Sequence, residues 1–436
     1  MHKNWVLLIC LATFLLTNWG EAQETNRVDA QNKISLELTK QAQALEAQSK
    51  FAESAQAWQK VITHLTGLHG ADSWQVVNAI LSQKVVVQEA KFTPAQVTQV
   101  EQLKTLQARA LTQATAGDLP GSLQSLEQSR EIVLTLFGQE FHLLAQIDTR
   151  LAGMKELQGD LEGAWNTYQN ALAIAQKSFG SVHPDTELIH YKLGLLLHRA
   201  GQNDRAMNHL SQAVDTSRTV YGSEDPNYAD RLTAMGIVLQ ATAQYQRALE
   251  LMLTAEKIQA KQLGENCDRR GLTLKDIGVT YLSMREAGQA QKFLGKAASI
   301  FENERGELDP FTLKTRSQLA TAYAMSGDLV AAEKLLDQVL EGNRVTHGPK
   351  SVITAKSEFQ LGLLRAKRGD YASAKMLLKQ ALQTQTQVLG RSDRSTQRTA
   401  AAYVQLLEKT QQFTEAKQLR QDYTTPRTAR APSSGK

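Results

Sequence analysis

From Leu188 to Ala200, and again from Ala206 to Val220, apolar residues return at intervals of three and four along an otherwise polar chain. Leu193, Leu196 and Leu197 mark the first segment; Met207, Leu210, Ala213, Val214 and Val220 mark the second. This is the period of one helix face and not the alternation of a strand. The turn Gly201-Gln202-Asn203 separates the segments, and Tyr221-Gly222 closes the second. The pattern predicts two amphipathic helices folded back on each other as a hairpin.

The hairpin recurs. Glycine stands at 117, 138, 159, 180, 201, 222, 264, 306, 327, 348, 369 and 390, a lattice of 21 residues missed only at Ala243, Arg285 and Gln411. With 27 glycines among 436 residues, composition alone does not put twelve of them on one lattice. The residue just past a helix often takes a left-handed conformation that glycine adopts cheaply, so the lattice marks the helix ends. Asp225-Pro226 and Asp309-Pro310 open the next helices, the acid capping exposed amides and proline occupying a first turn where its missing N–H costs nothing. His183-Pro184 fills the same place, whereas Val352 and Arg394 stand where the proline is absent.

Small residues recur at twice the lattice interval. Ala152, Gly194, Gly236, Gly278, Ala320 and Gly362 form one series in the leading helix. Ala164, Ala206, Ala248, Ala290, Ala332, Ala374 and Ala416 form another in the following helix, with Ala171, Ala213, Ala255, Ala297 and Ala381 seven residues on. Matched small positions predict close approach of paired helices. Around Ala243 and Arg285 the lost glycine, and Glu265-Asn266-Cys267-Asp268 in place of the usual start, predict a local change in hairpin opening. The last helix, near Ala416 to Tyr423, is polar and suits a terminal cap.

The regular pattern begins near residue 98. Upstream, a Gln-rich helix is predicted from about Val28 to Ser49, then a second from Lys50 to His69, closed by Gly70. The interval from Gly70 to Gly117 is 47 residues. An extra helix near Ser73 to Ala90 and the break Phe92-Thr93-Pro94 account for the excess. Residues 23–97 thus read as an irregular helical cap with one degenerate repeat, 98–423 as about eight repeats of 42 residues, and 424–436 as a disordered basic tail.

Composition changes the picture at the two ends and in the choice of partner. Met1-His2-Lys3, the apolar run Trp5–Leu16 and the small residues Gly20 and Ala22 have the parts of a secretory signal peptide cut after Ala22. The run is too short for a comfortable membrane span, although an uncleaved signal would leave an anchor. Export to the periplasm or the medium is the expectation. Removing the signal leaves Cys267 as the lone cysteine, so packing and not disulfides must stabilise the chain. The net charge of +5 is spread over alternating acids and bases with no long basic run, which argues against nucleic acid as a partner.

These residues resemble the tetratricopeptide repeat, in the longer form of about 42 residues found in kinesin light chains and in many bacterial proteins. The family pattern is visible from Gly159-Asp160 to Phe179-Gly180-Ser181-Val182-His183-Pro184, and again from Gly369-Asp370-Tyr371 to Ala381-Leu382 and Leu389-Gly390. The resemblance covers roughly residues 98–423. It implies an all-α fold, a right-handed superhelical solenoid of antiparallel helical hairpins, and a non-enzymatic role as a scaffold for protein or peptide partners.

It also implies a binding surface. In that family the first helix of each hairpin lines the concave face, and the residue pair before the Leu-Gly/Ala step points into the groove. The matching pairs are Thr149-Arg150, Tyr191-Lys192, Thr233-Ala234, Lys275-Asp276, Ser317-Gln318 and Phe359-Gln360. The groove candidates are therefore Arg150, Tyr191, Lys192, Asp276, Gln318, Phe359 and Gln360. The asparagines usual in the family are absent; what remains is a polar lining with bases toward one end, suited to an extended peptide and to acidic side chains.

Catalytic motifs do not appear. There is no His-Glu-x-x-His, Walker-type glycine loop, Gly-x-Ser-x-Gly or paired Cys-x-x-Cys. No cofactor or metal is expected. Two alternatives to the scaffold reading are open: self-association into an envelope structure, and an enzyme using Cys267 or His183.

Overall fold

The computed structural model describes residues 30–424, in nineteen helices and, among the described residues, no strand. The signal-peptide segment, Cys10 within it and nearly all of the basic tail lie outside the described residues. The helices are α1 (Ala30–Ala47), α2 (Phe51–His69), α3 (Trp74–Glu89), α4 (Pro94–Thr115), α5 (Leu119–Phe137), α6 (His142–Gln158), α7 (Leu161–Phe179), α8 (Pro184–Arg199), α9 (Asn203–Tyr221) and α10 (Pro226–Ala241). They continue with α11 (Tyr245–Leu263), α12 (Asp268–Ser283), α13 (Ala287–Arg305), α14 (Pro310–Ser326), α15 (Leu329–His347), α16 (Val352–Arg368), α17 (Tyr371–Leu389), α18 (Arg394–Lys409) and α19 (Phe413–Thr424). The chain divides into two compact units at Val238/Leu239, within α10.

In the first unit α1 and α2 form a hairpin, α3 follows as a single helix, and α4/α5, α6/α7 and α8/α9 are hairpins that lead into α10. In the second, α11 is followed by the hairpins α12/α13, α14/α15, α16/α17 and α18/α19. Both helices of the α8/α9 hairpin start earlier than the apolar pattern indicates, at Pro184 and Asn203, because the first turn of each is polar; the His183 side chain caps α8, whereas α9 starts without a side-chain cap. The Asp309 carboxylate accepts from Phe311 N at 2.8 Å, Asp225 from Asn227 N at 2.6 Å, and His183 Nδ1 from Asp185 N at 3.1 Å. Where proline is missing, Ser351 Oγ accepts from Thr354 N at 3.0 Å and Cys267 Sγ from Arg270 N at 3.4 Å.

The small residues are where the paired helices close. A methyl group at Gly194 would sit 2.5 Å from Leu210 Cγ, and one at Gly278 2.6 Å from Leu294 Cγ. Ala164, Ala206, Ala290, Ala332 and Ala374 are all fully buried. One first-unit core joins Ala152, Ala164, Tyr168, Ala171 and Leu193; one second-unit core joins Ala320, Ala332, Leu336, Leu361 and Leu377. In the last hairpin Ala416 of α19 is buried against Tyr403 and Leu407, while the rest of α19 is largely polar.

Helix α3 departs from the repeat and packs over it. Val77 and Leu81 rest on the core of α6 to α8, and Gln88 Nε2 donates to Leu136 O at 3.0 Å. Asn78 Oδ1 meets His183 Nε2 at 3.0 Å, across 105 residues of sequence. An aromatic ladder runs from one end of α3 to just past the other. Trp74 meets His183 edge-on, His183 stacks on Phe179 at 4.3 Å, and Phe179 meets His142 at 5.8 Å. Phe141 then stacks on Phe137 at 4.2 Å, and Phe137 meets Phe92 at 5.5 Å.

Candidate functional site

The leading helices carry the groove candidates, and each unit is described by itself. In the first unit Arg150 is half-buried on α6, beside Asp185 of α8. Burial holds Arg150 below the usual guanidinium value, and the Asp185 charge works against that shift. Gln146 Nε2 donates to Asp185 Oδ2 at 3.1 Å. Lys192 is half-buried, its Nζ 5.9 Å from the Tyr191 ring centroid. Tyr191 is only 9% exposed, covered by the Arg231 guanidinium at 4.1 Å. Arg231 in turn donates to both Glu187 oxygens, at 2.6 and 2.9 Å, in a buried bidentate pair.

In the second unit Lys275 Nζ lies 3.0 Å from Asp276 Oδ1. Ser317 Oγ donates to Gln360 Oε1 at 2.9 Å, which places α14 and α16 face to face at that height. Gln318 is half-buried, and its Oε1 has no hydrogen-bond partner among the described residues. Phe359 is 7% exposed, with the Arg398 guanidinium of α18 over its ring at 5.3 Å. Of the seven candidates, Arg150, Lys192, Asp276, Gln318 and Gln360 stand half-buried on their helix faces, while Tyr191 and Phe359 are buried beneath arginines.

The sequence pairs passed over a neighbouring column. Lys314, Lys356 and Arg398 lie on α14, α16 and α18, and all three are exposed. Partial burial first, then the like charges of Lys275 and Lys356, hold Lys314 below the ordinary lysine value. The signal was present in the sequence as Lys, Lys and Arg at 42-residue intervals. It lies one helical turn before the pairs that the family pattern points to.

The two residues with candidate chemistry are occupied structurally. His183 is 1% exposed and both its nitrogens are hydrogen-bonded; burial, then the neighbouring His142, lowers its pKa to about 4, so the ring is neutral. Cys267 caps α12, and burial pushes its thiol up. Among the described residues no group of three His, Cys, Asp or Glu side chains is arranged to hold a metal ion. A polar cleft of about 350 Å³ on α5, α6 and α7 is lined by both acids and bases, among which Arg130 meets Asp148 at 2.6 Å.

Comparison with known proteins bears on this geometry. The tetratricopeptide repeat model matches residues 143–219, 189–261, 270–344 and 311–387, together more than half of the chain. The chain belongs to the tetratricopeptide-repeat (TPR) family. No curated protein sequence matches this TPR chain. Among solved structures, the apo form of the quorum sensor NprR from B. thuringiensis is similar with a TM-score of 0.57 at 12% identity, over 87% of this chain and 97% of that one. BtubC (BKLC) from P. vanneervenii is similar over 53% of this chain and 92% of that one, at 22% identity and a TM-score of 0.46. The TPR-like repeats of a Podosopora anserina chain described as a kinesin light chain are similar over 47% of this chain and 98% of that one, at 24% identity and a TM-score of 0.41. At these identities the likeness is one of fold.

Proposed function

We propose that this TPR chain is a non-enzymatic protein-interaction scaffold working outside the cytoplasm, and that it holds an extended segment of a partner against its leading helices. The observation that carries the reading is that each unit has half-buried polar side chains at one repeat position, Arg150 and Lys192 in the first, Asp276, Gln318 and Gln360 in the second. Side chains of this kind hydrogen-bond a peptide backbone and orient it. Export rests on the segment from Met1 to Ala22. If that segment stays uncleaved, it anchors the chain; among the described residues no helix is long and apolar enough to cross a membrane.

The test is capture from envelope and medium fractions by the purified chain, beside a variant with Arg150, Lys192, Gln318 and Gln360 all changed to glutamate. A partner crosslinked to the leading helices of the parent, and lost by a variant with an unchanged helical spectrum, is the expected result. Unchanged capture sinks the leading-face reading and moves attention to the following helices and α3.

A further inference from the structure

Several cations in the second unit are paired with carboxylates. Arg316 meets Glu302 at 2.8 Å, Arg344 meets Glu358 at 3.5 Å, Arg365 meets Glu333 and Asp337 at 3.0 Å, and Lys375 meets Glu415 at 3.0 Å. Lys314, Lys356 and Arg398, at one repeat position, have no such carboxylate among the described residues. Among the described residues neither lysine makes an ion pair or a hydrogen bond, and Asp276, the carboxylate that acts on Lys314, is already held by Lys275 at 3.0 Å. Arg398 lies over the face of Phe359, which directs the guanidinium without neutralising it.

The three side chains sit at one height on three successive leading helices, 42 residues apart. Lys314 and Lys356 each stand four residues before Gln318 and Gln360, so they share a helix face with them. Crowding like charges with no anion between them costs free energy that a bound carboxylate returns. Gln360 accepts from Ser317 through Oε1, which leaves its amide hydrogens for a peptide carbonyl.

We propose that the exposed face of α14, α16 and α18 binds an extended acidic peptide segment, with Lys314, Lys356 and Arg398 each taking one carboxylate. The assignment rests on the leading-face reading above and gives it a partner chemistry. Adjacent packed helices lie about 8–10 Å apart, and an extended chain advances about 3.3 Å per residue. Carboxylates on every third residue therefore match the row. Duplex nucleic acid matches it poorly, because each strand carries a phosphate about every 3.4 Å of helix axis and most would face no cation.

The experiment is fluorescence anisotropy with the full chain and a labelled peptide repeating Glu-Ser-Gly. Controls are the Gln-Ser-Gly counterpart, an isomer with its glutamates bunched at one end, and a single-stranded oligonucleotide of similar length. The Glu-Ser-Gly peptide is expected to bind, with affinity falling as salt rises, by roughly threefold for each of Lys314→Met, Lys356→Met and Arg398→Met, and at least about tenfold when all three become glutamate. The neutral triple methionine variant guards against misfolding of the charge-reversed one.

Equal binding of the glutamine peptide, or unchanged affinity in a folded triple variant, overturns the row as a reader of acids while leaving the capture experiment to decide the leading-face reading. Equal binding of the bunched isomer overturns the one-carboxylate-per-helix register. Tighter binding of the oligonucleotide, lost in the triple variant, makes the row a nucleic-acid surface instead. Absence of binding by every probe also overturns the assignment.

Discussion

At the scale of single residues, the glycine lattice resolves into two kinds of turn. Between hairpins, Gly70, Gly138, Gly180, Gly222, Gly264, Gly306, Gly348 and Gly390 hold φ of 80–92° with ψ of 159–179°. That region is essentially closed to any residue with a Cβ. Within hairpins the turn residue is left-handed with ψ near zero, as at Gly159, Gly327 and Gly369. Other residues reach that region at moderate cost. The departures from the lattice obey this division: Ala243, Arg285 and Gln411 have φ of 60°, 62° and 61°, and all lie at within-hairpin turns. Ser49, at 58°, completes the set, one lattice step before Gly70. Gly222→Ala is therefore expected to cost roughly 2–3 kcal/mol and Gly201→Ala about 1 kcal/mol, whereas Ala243→Gly stabilises by up to about 1 kcal/mol. Chemical denaturation of the three variants checks the order; equal costs at 201 and 222 would contradict it.

At the scale of the element, α3 shows what local pattern leaves out. Its existence was legible from the long interval between Gly70 and Gly117 and from its apolar run. Its docking was not, because the partners of Trp74 and Asn78 lie more than a hundred residues away at His183. The ring ladder that fastens it contains two neutral histidines. Burial, then the charge of Lys84, brings His142 to about 4, and burial, then His142, does the same for His183. A folded pKa below the unfolded value of about 6.5 means the unfolded chain binds more protons between those values. Stability from these rings is thus present above pH 6.5 and lost as pH falls toward about 4, on the order of 2 kcal/mol for each. Glu89 at the end of α3 has the opposite slope, since burial and then the Glu46 charge raise it to about 7. Its ionisation destabilises the fold as pH climbs from about 4.5 to about 7. Thermal melts from pH 8 to 4.5 are expected to show midpoints falling below pH 6.5, a shallower fall in His142→Phe, and a gain at pH 8 in Glu89→Gln. A flat profile for the parent would refute this account of the ladder.

At the scale of the whole molecule, each repeat helix packs mainly on its sequence neighbours, and α3 is the exception within the first unit. Stability in such a stack is close to a sum of hairpin terms and nearest-neighbour interfaces. A strained turn is therefore felt locally. In Gly348→Ala, hydrogen exchange is expected to speed up in α14 to α17 while α6 to α9 keep their protection. Loss of protection along the entire chain would mean cooperative unfolding instead. The family and the all-helical fold were legible because both rest on local chemistry repeated many times: helix period, capping, and glycine at fixed backbone angles. The candidate site was legible only in part. The repeat register led to Arg150, Lys192, Asp276, Gln318 and Gln360, but it also led to Tyr191 and Phe359, which Arg231 and Arg398 cover.

Sequence by itself determined the helical hairpin, its 42-residue period, the turns that need glycine and the membership of the TPR family, since each follows from interactions within a few turns of chain. Tertiary structure alone decided which polar side chains of the leading helices are already paired, that His183 is locked under an inserted helix, and that Lys314, Lys356 and Arg398 stand without a counter-ion among the described residues. Those outcomes depend on groups brought together from distant repeats, and a period along the chain carries no record of which charge meets which.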